Sequence, residues 1–118
     1  MKKILVVDDE DNIRLLYQEV LRDEGYEVAL AGNAEEALQA IASSPPDLIT
    51  LDVKMPGMSG VDFLKKLKES HKDIPVILCS AYGAYKQDFQ LWASEAYVVK
   101  SADMQELKRT IKEIISNT

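Results

Sequence analysis

Five short apolar runs rich in β-branched residues alternate with segments whose apolar positions recur at helical spacing, and few folds accept that pattern. The unit is clearest in Asp47-Leu48-Ile49-Thr50-Leu51-Asp52-Val53-Lys54-Met55-Pro56-Gly57. A continuous apolar run bounded by turn formers reads as a buried strand, and Pro56 and Gly57 stop its ladder. Asp52 therefore stands where a strand leaves the core. Ligands of open α/β sheets gather at the carboxyl ends of strands, which makes this carboxylate a candidate for chemistry. The plain alternative is an aspartate that caps its own turn.

The other runs repeat the unit. Ile4-Leu5-Val6-Val7 is a buried strand that ends at Asp8-Asp9-Glu10-Asp11. A first helix follows from Asn12, with Ile13, Leu16, Tyr17, Val20 and Leu21 in phase and Gly25 closing it. Tyr26 to Ala31 is the second strand, and Asn33-Ala34-Glu35-Glu36 has the capping-box order for a helix through about Ala42. Ser59-Gly60-Val61-Asp62 opens a third helix with Val61, Leu64, Lys65, Leu67 and Lys68 on an apolar stripe and its cationic flank. Pro75 to Cys79 is the fourth strand, ending at Ser80; a helix over Tyr82 to Trp92 follows; Ala96-Tyr97-Val98-Val99 is the fifth strand, ending at Lys100. Asp103-Met104-Gln105-Glu106 caps a final helix bearing Leu107, Ile111, Ile114 and Ile115. The expected architecture is one α/β domain over residues 1–118: a doubly wound, five-stranded parallel sheet of flavodoxin-like order 2-1-3-4-5 with five helices, joined by right-handed crossovers.

Composition narrows the partners. A formal net charge of -6, with lysines interspersed among acids, disfavours nucleic acid and anionic membranes, which need clustered cations. Cys79 is the only cysteine, so no disulfide forms within the chain, and its apolar setting implies a buried thiol. No apolar stretch approaches the roughly 20 residues of a membrane span, and Ile4 to Val7 is too short for a signal-peptide core. A cytoplasmic location is expected.

In the expected strand order the ends of strands one, three, four and five are neighbours. Asp8, Asp9, Asp52, Ser80 and Lys100 then converge on one rim. Crowded carboxylates repel unless a cation joins them, and an all-oxygen set suits Mg2+ better than Zn2+, for which no Cys/His set exists. Such a site supports phosphoryl transfer to a carboxylate: Asp52 attacks phosphorus, Lys100 neutralises phosphoryl oxygens and Ser80 donates a hydrogen bond.

From Ile4 to Ile115 the chain resembles the receiver domain of two-component response regulators. The resemblance rests on Val7-Asp8-Asp9-Glu10, Leu51 to Gly60, Ser80-Ala81 and Tyr97-Val98-Val99-Lys100. It implies that Asp52 is the phosphoacceptor, that Asp9 and Asp52 coordinate Mg2+ directly, that Asp8 holds it through water, and that the Lys54 backbone carbonyl adds a ligand. Lys100 would pair with phosphate. Ser80 and the aromatic Tyr97 would act as the switch, altering the surface of the helix over Tyr82 to Trp92, the fifth strand and the final helix. Lys54 and Tyr82 would overhang the phosphoryl group and set its lifetime, a pairing closer to the single-domain regulator of the sporulation phosphorelay than to the chemotaxis one. The implied partners are a histidine kinase or phosphotransfer protein and a downstream protein that reads the switched surface; kinases of this family meet the first helix, where Ile13, Leu16 and Tyr17 must divide between core and surface.

Two positions depart from the family pattern. Ser101 follows Lys100 where the family usually has proline after a cis bond; a non-proline cis bond costs about 3 kcal/mol, so a trans Lys100-Ser101 bond is expected. Ala93-Ser94-Glu95-Ala96 replaces the commoner Gly-Ala-x-Asp. The missing proline keeps open a phosphorylation-independent interaction module of the same fold. An enzyme is not expected: a dehalogenase-like phosphatase would want an acid two residues after the nucleophile, where Lys54 stands, and a flavodoxin's phosphate loop would not be built of four acids. His71 reads as a solvated loop residue, Met55 and Met58 as gap fillers, and Phe89 and Trp92 as core aromatics or, less simply, a partner anchor.

Overall fold

The computed structural model describes residues 1–52, 60–71, 73–80, 96–99 and 104–116. In chain order the elements are β1 (Lys3–Val7), α1 (Asp11–Asp23), β2 (Glu27–Ala31), α2 (Ala34–Ser43), β3 (Leu48–Asp52), α3 (Gly60–Ser70), β4 (Val76–Ser80), β5 (Ala96–Val99) and α4 (Gln105–Ser116). The strands form one sheet of order β2-β1-β3-β4-β5, and every pairing is parallel. The helix expected over Tyr82 to Trp92 and the Lys100-Ser101 bond lie outside the described residues.

Strand side chains alternate between the two faces of the sheet, and each face has its own core. Leu5, Val7, Ile49, Leu51, Val76 and Leu78 pack against Ala37 and Ile41 of α2 and Phe63, Leu64 and Leu67 of α3. Ile4, Val6, Leu48, Ile77 and Cys79 meet Tyr17 and Leu21 of α1 and Leu107 and Ile111 of α4. Burial on both faces explains why β1 and β3 read as unbroken apolar runs, whereas the edge strand β2 opens on an exposed Glu27. On α1 the apolar stripe divides as helix geometry requires: Tyr17 and Leu21 face inward, and Leu16, with the neighbouring Leu15, faces outward. On α3 the sequence pattern passed over Phe63, which is fully buried, and Lys68 turns from its flank to donate to the Ile74 carbonyl at 2.6 Å. His71 accepts from the Ile74 amide through its carbonyl, and its ring contacts Ser70 Oγ, in the half-buried turn after α3. Among the described residues no helix is long and apolar enough to cross a membrane.

Local chemistry fixes the start of α2 beside the rim and the end of α1 at the opposite side of the sheet, where β1 and β2 begin. The Asn33 carboxamide accepts from the Glu36 amide at 2.8 Å, as a cap should, but Glu36 Oε1 reaches one residue further back than in a standard capping box and accepts from the Gly32 amide at 2.6 Å. At the end of α1 the Tyr26 amide donates to Leu21 and the Gly25 amide to Arg22, a Schellman closure with Gly25 at φ 93°. Nothing lies within 4 Å of a side chain built at Gly25, so only backbone conformation opposes one there. Gly25→Ala should therefore lower stability by about 1 kcal/mol, read as a shifted urea midpoint with unchanged slope.

Candidate functional site

The acids at the rim are placed by strand register. Val7 of β1 lies opposite Leu51 of β3, so Asp8 and Asp52 occupy the next step of the same ladder. The Asp8 amide continues the pairing with β2 by donating to the Ala31 carbonyl at 3.1 Å, which holds Asp8 in strand alternation one residue past β1. By that alternation Asp8 and Asp52 share the sheet face of Val6, Thr50 and Cys79, the face covered by α1 and α4. Both carboxylates are buried, at 2% and 6% exposure, where an ionised group persists only with partners. Each engages in polar contacts, and no buried side-chain polar atom among the described residues lacks a hydrogen bond.

The loop after β1 gathers further acids. Asp8 Oδ1 accepts from the Glu10 amide at 2.9 Å, turning the chain back on itself before α1 begins. Carboxylate oxygens of Asp8, Asp9 and Glu10 lie within 4.8 Å of one another, Asp8 buried and the other two exposed. Three hard oxygen donors at that spacing, without Cys or His, fit an oxygen-seeking divalent cation with positions left for water. Asp52 stands beside this triplet on the neighbouring strand rather than within it. Glu10 had no site role in the sequence reading; the run of four acids was the signal that pointed to it.

The remaining candidates divide by what the structure describes. Ser80 ends β4 and pairs with Val99 of β5, and Tyr97 pairs with Leu78, so both backbones sit where the strand reading put them. Asp52 pairs with Cys79, which sets Ser80 one step beyond Asp52 along the same rim. Lys54, Tyr82 and Lys100 lie outside the described residues, as do Met55, Met58, Phe89 and Trp92.

Beneath the acids lies a residue whose polar role the sequence did not announce. Tyr17 of α1 is 4% exposed and packs in the core beside Cys79. Burial pushes its phenol well above the ordinary value of about 10; the Cys79 thiol, by charge and by hydrogen bond, and the nearby Asp8 and Asp52 push the same way. The folded form thus holds the phenolic proton more tightly than the unfolded chain. The associated stability is complete below about pH 10 and is lost as pH rises above that value towards the folded-state pKa. Tyr17→Phe should flatten this alkaline loss, measured as urea midpoints between about pH 9 and 11, while its neutral-pH midpoint changes little.

Comparison with known proteins agrees with this arrangement. Sporulation initiation phosphotransferase F of Bacillus subtilis (strain 168) is 36% identical over 116 residues, spanning 97% of this chain and 94% of that protein. The crystal structure of the response regulator TrrA from Thermotoga maritima, in complex with Mg2+ and BeF, superposes with a TM-score of 0.91 at 47% identity, covering 97% of this chain and 99% of that one. TrrA in complex with the histidine kinase ThkA gives a TM-score of 0.89 at 47% identity, covering 97% and 98%. The family model described as the response regulator receiver domain matches residues 4–112. With its parallel sheet, acid-lined rim and match along nearly its whole length, the chain belongs to the response regulator receiver domain family of two-component signalling.

Proposed function

We propose that the protein is a phospho-accepting switch in which Asp52 takes a phosphoryl group from a histidine kinase or a phosphotransfer protein. The observation that carries this reading is the pair of buried carboxylates, Asp8 and Asp52, on one step of the β1–β3 ladder, beside the oxygen cluster of Asp8, Asp9 and Glu10. Asp8, Asp9, Asp52 and the Lys54 carbonyl would hold Mg2+, which supplies charge neutralisation when bound. An Asp52 oxygen forms the new bond to phosphorus as the donor's P–N bond breaks, leaving an acyl phosphate on β3. Lys100 pairs with the phosphoryl oxygens and Ser80 donates to one of them. Support comes from the Mg2+–BeF complex and the kinase complex of TrrA and from the phosphotransferase relative.

Ser80 and Tyr97 carry the change to a protein partner, a local charge event that biases a two-state surface. Residues 1–118 act as one receiver domain in the cytoplasm, without catalytic turnover of a separate substrate and without direct contacts to nucleic acid or membrane. Ser101, in place of the family's usual proline, favours a second reading: a module that binds its partner without phosphorylation.

Incubation with Mg2+ and acetyl phosphate separates the two. Intact mass should show a gain of one phosphoryl group in the parent, and none in Asp52→Ala; a parent that gains nothing while still binding a partner supports the second reading. Lys54 and Tyr82 screen the acyl phosphate from water, so the double variant Lys54→Asn with Tyr82→Glu should release phosphate faster than the parent. Equal release rates would remove these residues from control of the lifetime.

A further inference from the structure

We propose that Arg14 is a positioning residue for the cation site, holding the Asp8–Asp9 peptide in place from the first turn of α1. The proposal rests on the reading that Asp8 and Asp9 hold Mg2+. Arg14 Nη1 donates to the Asp8 backbone carbonyl at 2.6 Å, and Nη2 pairs with the Asp11 carboxylate. The Arg14 side chain is only 19% exposed. Its guanidinium lies against the turn between β2 and α2: a Cβ on Gly32 would stand 3.1 Å from Nη1 and 3.2 Å from Glu36 Oε1. That turn is itself held by the Gly32 amide on Glu36 and the Glu36 amide on Asn33. Arg14 thus bridges the acidic loop and a braced neighbouring turn, and the absent side chain at Gly32 makes room for it.

The consequence for the site follows from peptide geometry. The Asp8 carbonyl and the Asp9 amide share one plane that includes the Asp9 Cα, so fixing that oxygen fixes where the Asp9 Cα sits and leaves only its φ to turn the side chain. Asp8 Oδ1 on the Glu10 amide braces the following peptide. A planar guanidinium meets two acceptors at a set angle, which a lysine ammonium does not reproduce. Outer contacts of this kind orient the groups that bind a metal. Arg14 also has an opposite influence, since its positive charge beside the acids repels a cation. Removing the residue would tighten Mg2+ binding if charge dominated and weaken it if positioning dominated.

Calorimetric titration of Mg2+ into the full chain separates these effects, with a metal-free thermal melt of each variant as the control for folding. Arg14→Lys keeps the charge and loses the fork. Gly32→Ala keeps every charge but puts a methyl against Arg14 and Glu36, and Gly32 is not at a left-handed φ that would itself oppose alanine. Each should weaken Mg2+ binding by about tenfold, and the double variant should be no worse than the more affected single one. Parental affinity in both variants, or tighter binding in Arg14→Gln with Arg14→Lys unchanged, overturns the proposal. A parent that shows no Mg2+ binding overturns the cation reading itself, and the proposal with it.

Discussion

Register in the parallel ladders β1–β3 and β3–β4 is the constraint on which the site depends. Side chains alternate across a sheet, so a slip of one residue would carry Asp52 from the face of α1 and α4 to that of α2 and α3. The apolar residues forbid the slip. Ile4 with Leu48 fills one core and Leu5 with Ile49 the other, and exchanging them would expose both sets to the wrong neighbours. Two hydrophobic cores thereby fix a polar geometry at the strand tips, with Tyr17 and Cys79 of one core directly beneath it.

The rim places charge over a floor that is not charged. Thr50 and Cys79 share the acids' face, and the Tyr17 phenol beside Cys79 keeps its proton to higher pH than an ordinary phenol because its surroundings disfavour an anion. Repulsion among the acids is met from the outside instead, by the Glu10 amide on Asp8 and by Arg14 on the Asp8 carbonyl and the Asp11 carboxylate. Backbone turn, helix start and neighbouring loop therefore act on one another within a few residues.

Much of this was legible in the chain because the relevant signals are local. Unbroken apolar runs marked Ile4 to Val7, Leu48 to Leu51 and Val76 to Cys79 as strands, and a polar group at the end of each gave the candidates Asp8, Asp52 and Ser80. The capping order at Asn33 and the glycine at 25 marked two helix ends to within a residue or so. What escaped was decided by reach across the fold. Phe63, one place off the expected stripe, fills the core on the face of α2 and α3; Glu36 reaches past its own cap to Gly32; and Arg14, unremarkable on an amphipathic helix, spans six residues back to Asp8.

Among the described residues, the sequence by itself determined which segments are strands and helices, where the strands end and which side chains stand at those ends, because periodicity, turn residues and side-chain type act over a few residues. Tertiary structure alone decided that Asp8 and Asp52 are both buried on one face of the sheet, that Tyr17 rather than Leu16 lies beneath them, and that Glu10 joins Asp8 and Asp9. Those outcomes depend on which strands become neighbours and in what register, and that is set by burying both cores at once, a condition on the whole chain that no short stretch contains.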